Sequence, residues 1–218
     1  YAVTVRDCII KDNVSDCGQG GGLSVTEPFN LLVEGNQILG NTIRPRWVHW
    51  HSGEEGWECR GGGLFIWNAR NGYVIRNNII ADNVAEGESS MGGGMYLPLD
   101  GLCCRSPVPV IGHVINNTVC RNSATQGGGI HFTEVPLGSV NLYNNIVRSN
   151  TATNDDGSDD LYFATPPDLP EARLPSFALF NNNYSQALGT IVSSGGNTDV
   201  DPRFVDPDSQ DFHLASDS

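Results

Sequence analysis

Lysine is all but absent. Lys11 is the only one in 218 residues, and 12 basic side chains stand against 25 acidic ones, giving a net charge of −13. Nucleic acids and anionic membrane surfaces are held by basic stripes, so the balance argues against both as partners and for an acidic, soluble surface. No run of 18 apolar residues occurs, and no charged-then-apolar leader opens the chain, so neither membrane insertion nor a signal peptide is expected. The chain begins at Tyr1 and its repeat begins halfway through a unit, which reads as a piece excised from a longer protein. Helical periodicity is missing throughout. The six cysteines form no CxxC pair, which suits disulfides in an oxidising compartment better than a metal site.

What the sequence has instead is repetition. Residues 127–152, GGGIHFTEVPLGSVNLYNNIVRSNTA, contain three short alternating apolar pieces separated by turn residues. The glycine triplet recurs at Gly20–Gly22, Gly61–Gly63, Gly92–Gly94 and Gly127–Gly129, each followed by an apolar residue, any residue and a second apolar one. Leu23, Leu64, Met95, Ile130 and Leu161 mark copies that recur after 41, 31, 35 and 31 residues, and the fifth carries Asp159-Asp160 in place of two glycines. The second half of the unit places asparagine at Asn36, Asn78, Asn117, Asn145 and Asn182, with another five residues on at Asn41, Asn83, Asn122 and Asn150.

A single unit cannot bury its apolar row, so stacked neighbours must supply the core, about 4.8 Å apart as in any parallel sheet. The expected fold is therefore all-β: a parallel β-helix of about six coils with long loop insertions, one domain over 1–218, its repeat region spanning 3–187 and a tail 188–218. A leucine-rich solenoid, the competing architecture, has a shorter period and more leucine. Asparagines at one bend can bond those above and below, which predicts a ladder through Asn36, Asn78, Asn117, Asn145 and Asn182.

Several segments interrupt the pattern. Residues 44–60 hold Trp47, Trp50 and Trp57 among histidines and glutamates, where a binding role competes with simple packing on the neighbouring coil. Residues 98–109 are proline-rich and carry Cys103-Cys104. The expected pairings are Cys8 with Cys17, Cys120 with one vicinal cysteine and Cys59 with the other, out of fifteen connectivities for six cysteines. Asp155, Asp156, Asp159 and Asp160 cluster oxygens as a calcium ion would need, but without the spacing of a calcium loop, so a solvated turn competes and no other cofactor is implied. The tail, from Asp199 onward, is expected to cover the open end of the core.

Register also predicts which side chains share an outer face. Ser24, Phe65, Tyr96, His131 and Tyr162 fall one above another after the glycine bends. A row of aromatics on a flat sheet can stack on the apolar faces of sugars, and an ordinary covered stack is the alternative. For a lyase, His131 with Tyr96 or Tyr162 is the one arrangement the rows offer, as base beside a uronate carboxylate. A second outer row, Arg6, Glu34 and Arg76, alternates in charge as a structural ladder.

The N-x-A segments followed by GGG and Ile, Leu or Met resemble those of bacterial right-handed parallel β-helix proteins, including the polymorphic outer-membrane repeats of surface adhesins and the pectate-lyase-like secreted proteins. The tail DVDPRFVDPDSQDFHL is similar to their closing segments. The resemblance implies a right-handed β-helix and an extracellular or cell-surface structural, adhesive or carbohydrate-binding module, with a polysaccharide, a cell-surface glycan or copies of itself as partners. It implies, as an alternative, a secreted polysaccharide lyase or glycoside hydrolase. A glycoside hydrolase of this fold would resemble paired aspartates with a Gly-His-Gly and an Arg-x-Lys, in that order; here Asn197-Thr198-Asp199 comes after Asp155-Asp156, Gly112-His113 is followed by Val114, and no Arg-x-Lys occurs. The fold hosts many activities, so binding without catalysis is the expectation.

Overall fold

Alternating apolar and polar residues between turn residues fold into short strands, and each unit lays its strands in register on the next. The computed structural model describes residues 1–16, 18–45, 47–49, 55–57, 59–97, 110–133, 138–154, 158–164 and 176–218. Among these there is no α-helix, and four all-parallel sheets carry the molecule, as in a parallel β-solenoid.

Sheet A stacks seven strands: Ala2–Arg6, Asn30–Glu34, Tyr73–Arg76, Ile111–Ile115, Ser139–Tyr143, Ser176–Phe180 and Ser193–Gly195. Sheet B stacks six short strands, from Ile9–Lys11 through Gln37–Leu39, Ile79–Ala81, Thr118–Cys120 and Ile146–Arg148 to Asn183–Tyr184. Sheet C is formed by five two-residue strands from Val14–Ser15 to Thr151–Ala152. Sheet D holds Leu23–Thr26, Leu64–Trp67, Met95–Leu97, Ile130–Phe132, Leu161–Phe163 and Ala187–Leu188.

Inward rows from sheets A, B and D meet in one core. Val33, Ile75, Val114, Leu142 and Leu179 come from sheet A, and Ile38, Ile80, Val119 and Val147 from sheet B. Sheet D contributes the apolar pair of each unit, among them Leu64 with Ile66 and Ile130 with Phe132. Gly112 sits in this core because the Tyr73 ring fills the space a Cβ would need, its nearest atom 2.5 Å or closer.

Two asparagine rows bind the coils. Asn36, Asn78, Asn117, Asn145 and Asn182 each give their backbone N–H and side-chain Nδ2 to the Oδ1 of the next rung, at 2.9–3.2 Å. Nδ2 spends its other hydrogen on a strand carbonyl such as Ile75 O, so each buried amide is used on both sides. A parallel row runs Asn13, Asn41, Asn83, Asn122, Asn150. The residue before each rung takes the left-handed conformation, as Asn77, Asn116, Asn144 and Asn181 do at φ 54–55°. Within each Asn-Asn pair the first therefore makes the bend and the second makes the ladder.

Four expectations need correction. Cys8, Cys59 and Cys120 are free thiols, so no disulfide is present among the described residues; the expected partners Cys17, Cys103 and Cys104 lie outside them. Cys120 points outward from sheet B under Phe212, whereas Cys59 is buried beside Ile43, Ala85 and Ala124 at sheet C. Burial raises both thiols to about 12, with nearby Glu86 and Asp82 adding to it.

The second concerns the acidic turn. Asp160 is fully buried and ends the second asparagine row: one oxygen accepts from Asn150 and the other from Ser185 N and Oγ at 2.8 and 2.7 Å. Asp159 accepts from the backbone of Ala152. These two carboxylates hydrogen-bond within the chain, and no metal-ligating cluster occurs among the described residues; Asp155 and Asp156 lie outside them.

Third, the register does not stop at 187. Ser193–Gly195 extends sheet A and Asn197 is a further rung, accepting from Asn182. Fourth, the tail then folds back over the outer face of sheet B rather than over an end. Phe204 and Phe212, on an antiparallel pair formed by Phe204–Asp206 and Asp211–Leu214, pack on Leu39, Ala81 and Cys120. Arg148 with Asp199, Arg121 with Asp208 and Lys11 with Gln210 pin it from the last strands of the sheet to the first.

Candidate functional site

The glycine bend aims the site. In each unit the residue just before the triplet forms a parallel bridge to its counterpart, giving an outer row Gln19, Arg60, Met91 and Gln126. The middle residue of each sheet D strand gives a second row, Ser24, Phe65, Tyr96, His131 and Tyr162, paired in the expected register. A third outward position follows the inner apolar pair and carries Trp67, Thr133 and Ala164. Between these rows opens a cleft of about 480 Å³ lined by Arg60, Trp67, Met91, Tyr96, Gln126, His131, Thr133, Tyr162 and Ala164.

The aromatic row is not the open platform that its outward direction suggests. Phe65 is 0%, Tyr96 2% and His131 3% exposed. Coil spacing explains this: rings one strand apart lie at stacking distance, so each consumes its neighbours' faces. Centroids are 5.4 Å apart from Phe65 to Tyr96, 5.4 Å from Tyr96 to His131 and 4.9 Å from His131 to Tyr162, with planes within 15°. Phe65 also lies beside Trp67, at 6.3 Å. The buried part of the row therefore offers the cleft almost no surface, and accessible aromatic surface along it lies chiefly at half-buried Trp67 and Tyr162.

His131 is the unusual group. Both faces are covered, and its Nδ1 is buried with no hydrogen-bond partner. Burial, then the positive charge of Arg60, push its pKa from 6.5 down to about 3, so the imidazole is neutral at physiological pH. The Arg60 guanidinium lies 5.3 Å from the Tyr96 ring centroid, in cation–π contact.

This geometry has a stability consequence with a definite sign. The unfolded chain binds a proton at His131 near pH 6.5, whereas the folded chain does so only near pH 3. The contribution is thus fully present above pH 6.5 and is lost as the pH falls through that window, by about 1.4 kcal/mol per pH unit. In the His131→Phe variant, urea unfolding from pH 7 to 4 is expected to lose that share of the acid slope. An unchanged slope would show that the ring is hydrated and titrates normally.

Of the residues expected at a binding face, the structure brings Tyr96, His131 and Tyr162 to the cleft and leaves Phe65 beneath it. Trp47 and Trp57 are register partners in an antiparallel backbone pair, Trp47–His49 with Glu55–Trp57, and Trp50 lies outside the described residues. Trp67, Gln126, Arg60, Met91 and Thr133 were missed. The signal was present: three of them occupy a fixed position just before a glycine triplet, and Trp67 continues the alternation Leu64 in, Phe65 out, Ile66 in. The charged row is partly formed, with Arg76 on Glu34 at 2.8 Å while Arg6 turns to Asp7. Comparison with protein-family models, with curated proteins and with solved structures finds no match.

Proposed function

We propose that the chain is a right-handed parallel β-helix of the secreted bacterial type that acts as an extracellular or cell-surface carbohydrate-binding module. The cleft on sheet D carries this reading. Trp67 and Tyr162 offer apolar surface, while Gln126 and Thr133 offer hydrogen-bonding groups, beside strands paired in register across sheet D. A mostly preformed hollow of about 300–1,000 Å³ with a few convergent polar groups is the usual form of a small-ligand site. Binding is favoured over lyase chemistry because an imidazole pushed down to about 3 is a weak base at neutral pH.

Titration of the protein with a panel of oligosaccharides, followed by calorimetry, tests the reading. Trp67→Ala and Tyr162→Ala are each expected to weaken binding about tenfold, the effect of losing roughly 1.4 kcal/mol of aromatic contact, with unfolding midpoints little changed. Binding that survives both substitutions would place the carbohydrate elsewhere, and turnover of a polysaccharide abolished by His131→Ala would replace the binding module by an enzyme.

A further inference from the structure

We infer that residues 199–218 are a releasable strap, which opens from the outer face of sheet B and bares the Cys120 side chain while the coils stay folded. The inference is independent of the carbohydrate reading and concerns a different face.

The backbone carries the argument. Among the described residues, the last main-chain bonds tying the tail to a coil are Thr198 N to Asn182 O at 2.9 Å and Tyr184 N to Thr198 O at 3.1 Å. Beyond Thr198 the main-chain bonds stay inside the tail: the pair Phe204–Asp206 with Asp211–Leu214, the turn bond Gln210 N to Pro207 O, and Ala215 N to Arg203 O. The coils are joined by four parallel sheets and two asparagine rows, whereas the tail can leave without breaking one rung. Its opening therefore belongs to the low end of the range of local stabilities.

Side chains do the holding. Phe212 is buried and packs with half-buried Phe204 on Leu39, Ala81 and Cys120. Arg121 spans the seam, 5.5 Å from the Phe212 ring centroid and 2.9 Å from Asp208. The Asp208 side chain is 96% exposed, so water and salt screen that pair and leave Phe212 as the main contact. The fit is loose: a hollow of about 240 Å³, lined by Cys120, Arg121 and Ser149 of the coils and by Pro202, Phe204 and Phe212 of the tail, remains in the seam.

Opening changes the chemistry of one group. Under the strap, burial and then the charge of Asp82 raise the Cys120 thiol to about 12, which leaves almost no thiolate. Release brings water to the sulfur and removes the larger cause, so the strap decides whether this thiol meets an electrophile.

The experiment reads three sites in the full chain at pH 8: addition of a maleimide to Cys120, with exposed Cys8 as the unprotected reference, hydrogen exchange of the protected amides of 204–215, and exchange of the strand Ser139–Tyr143. A two-stranded hairpin freed from sheet B is marginal and loses its own ladder, so the first two readouts move together. Cys120 and 204–215 are expected to share one protection factor, at least tenfold below that of Ser139–Tyr143. Phe212→Ala is expected to lower both at least tenfold and to leave Ser139–Tyr143 within twofold; the wild-type comparison decides by itself if the variant does not fold. Equal protection at all three sites overturns the inference, because the strap then opens only when the coils do. So does a Cys120 labelled while 204–215 stay protected, or a tail that exchanges while Cys120 stays unlabelled.

Discussion

Asn117→Ala is expected to destabilise the protein by roughly 3–6 kcal/mol, a large share of the 5–15 kcal/mol that holds a domain together. Asn117 is buried in the middle of its row. Its Oδ1 accepts from Asn78 N at 3.1 Å and from Asn78 Nδ2 at 2.9 Å, and its own Nδ2 donates to Ile75 O and to Asn145 Oδ1. Alanine leaves two donors of Asn78 and the Ile75 carbonyl without partners where water has no access, and each such group costs about 1–3 kcal/mol. The neighbouring residue supplies the control. Asn116 is exposed at φ 54°, so Asn116→Gly keeps the bend and is expected to change stability by less than about 1 kcal/mol. Urea unfolding of the two variants, followed by far-ultraviolet circular dichroism, decides the matter. Equal midpoints would mean that the amide row contributes nothing beyond the backbone.

The contrast between Asn116 and Asn117 shows how far the sequence can be read. The row Asn36, Asn78, Asn117, Asn145, Asn182 and the inward pairs of sheet D were legible because a solenoid copies its own register, so spacing alone aligns residues that touch. Asn197 was not, since it follows Asn182 by 15 residues instead of a full unit. Asp160 was misread for a related reason: the position that looked like a broken glycine bend is where the second row ends on a carboxylate. The path of the tail had no periodic trace at all, because Phe204 and Phe212 find Leu39, Ala81 and Cys120 through long-range contacts that no repeat encodes. At the site, the direction of the aromatic row was readable but its accessibility was not. Alternation says which side of a strand a ring leaves from, while stacking at the coil spacing decides that its faces are already taken.

Gly93→Ala is the second change expected to have a large effect, because its cost falls on the spacing of the coils themselves. In the triplet Gly92-Gly93-Gly94 the first glycine takes φ +67°, and the second lies so close to the adjoining coil that a Cβ would meet Gly128 O and the Ser123 carbonyl carbon at 2.5 Å. Both are backbone atoms, one in the strand Ser123–Ala124 and one in the next glycine bend. Neither can swing aside as the tip of a side chain could, and native packing leaves no slack to absorb the shift. Relief requires the bend to part from the following coil, loosening the bonds Gly93 N to Gly127 O and Met95 N to Gly129 O that set up sheet D and, with it, the cleft. Overpacking of a tight interior costs about 1–3 kcal/mol where side chains can adjust, so a loss of at least about 3 kcal/mol is expected here, together with loss of the proposed sugar binding. Gly195→Ala is the matched control. Its Cβ would meet only Phe180 ring carbons at 3.4 Å, and a change within about 0.5 kcal/mol is expected. A Gly93→Ala protein that unfolds at the wild-type denaturant concentration would show that the triplets are not what fixes the approach of one coil to the next.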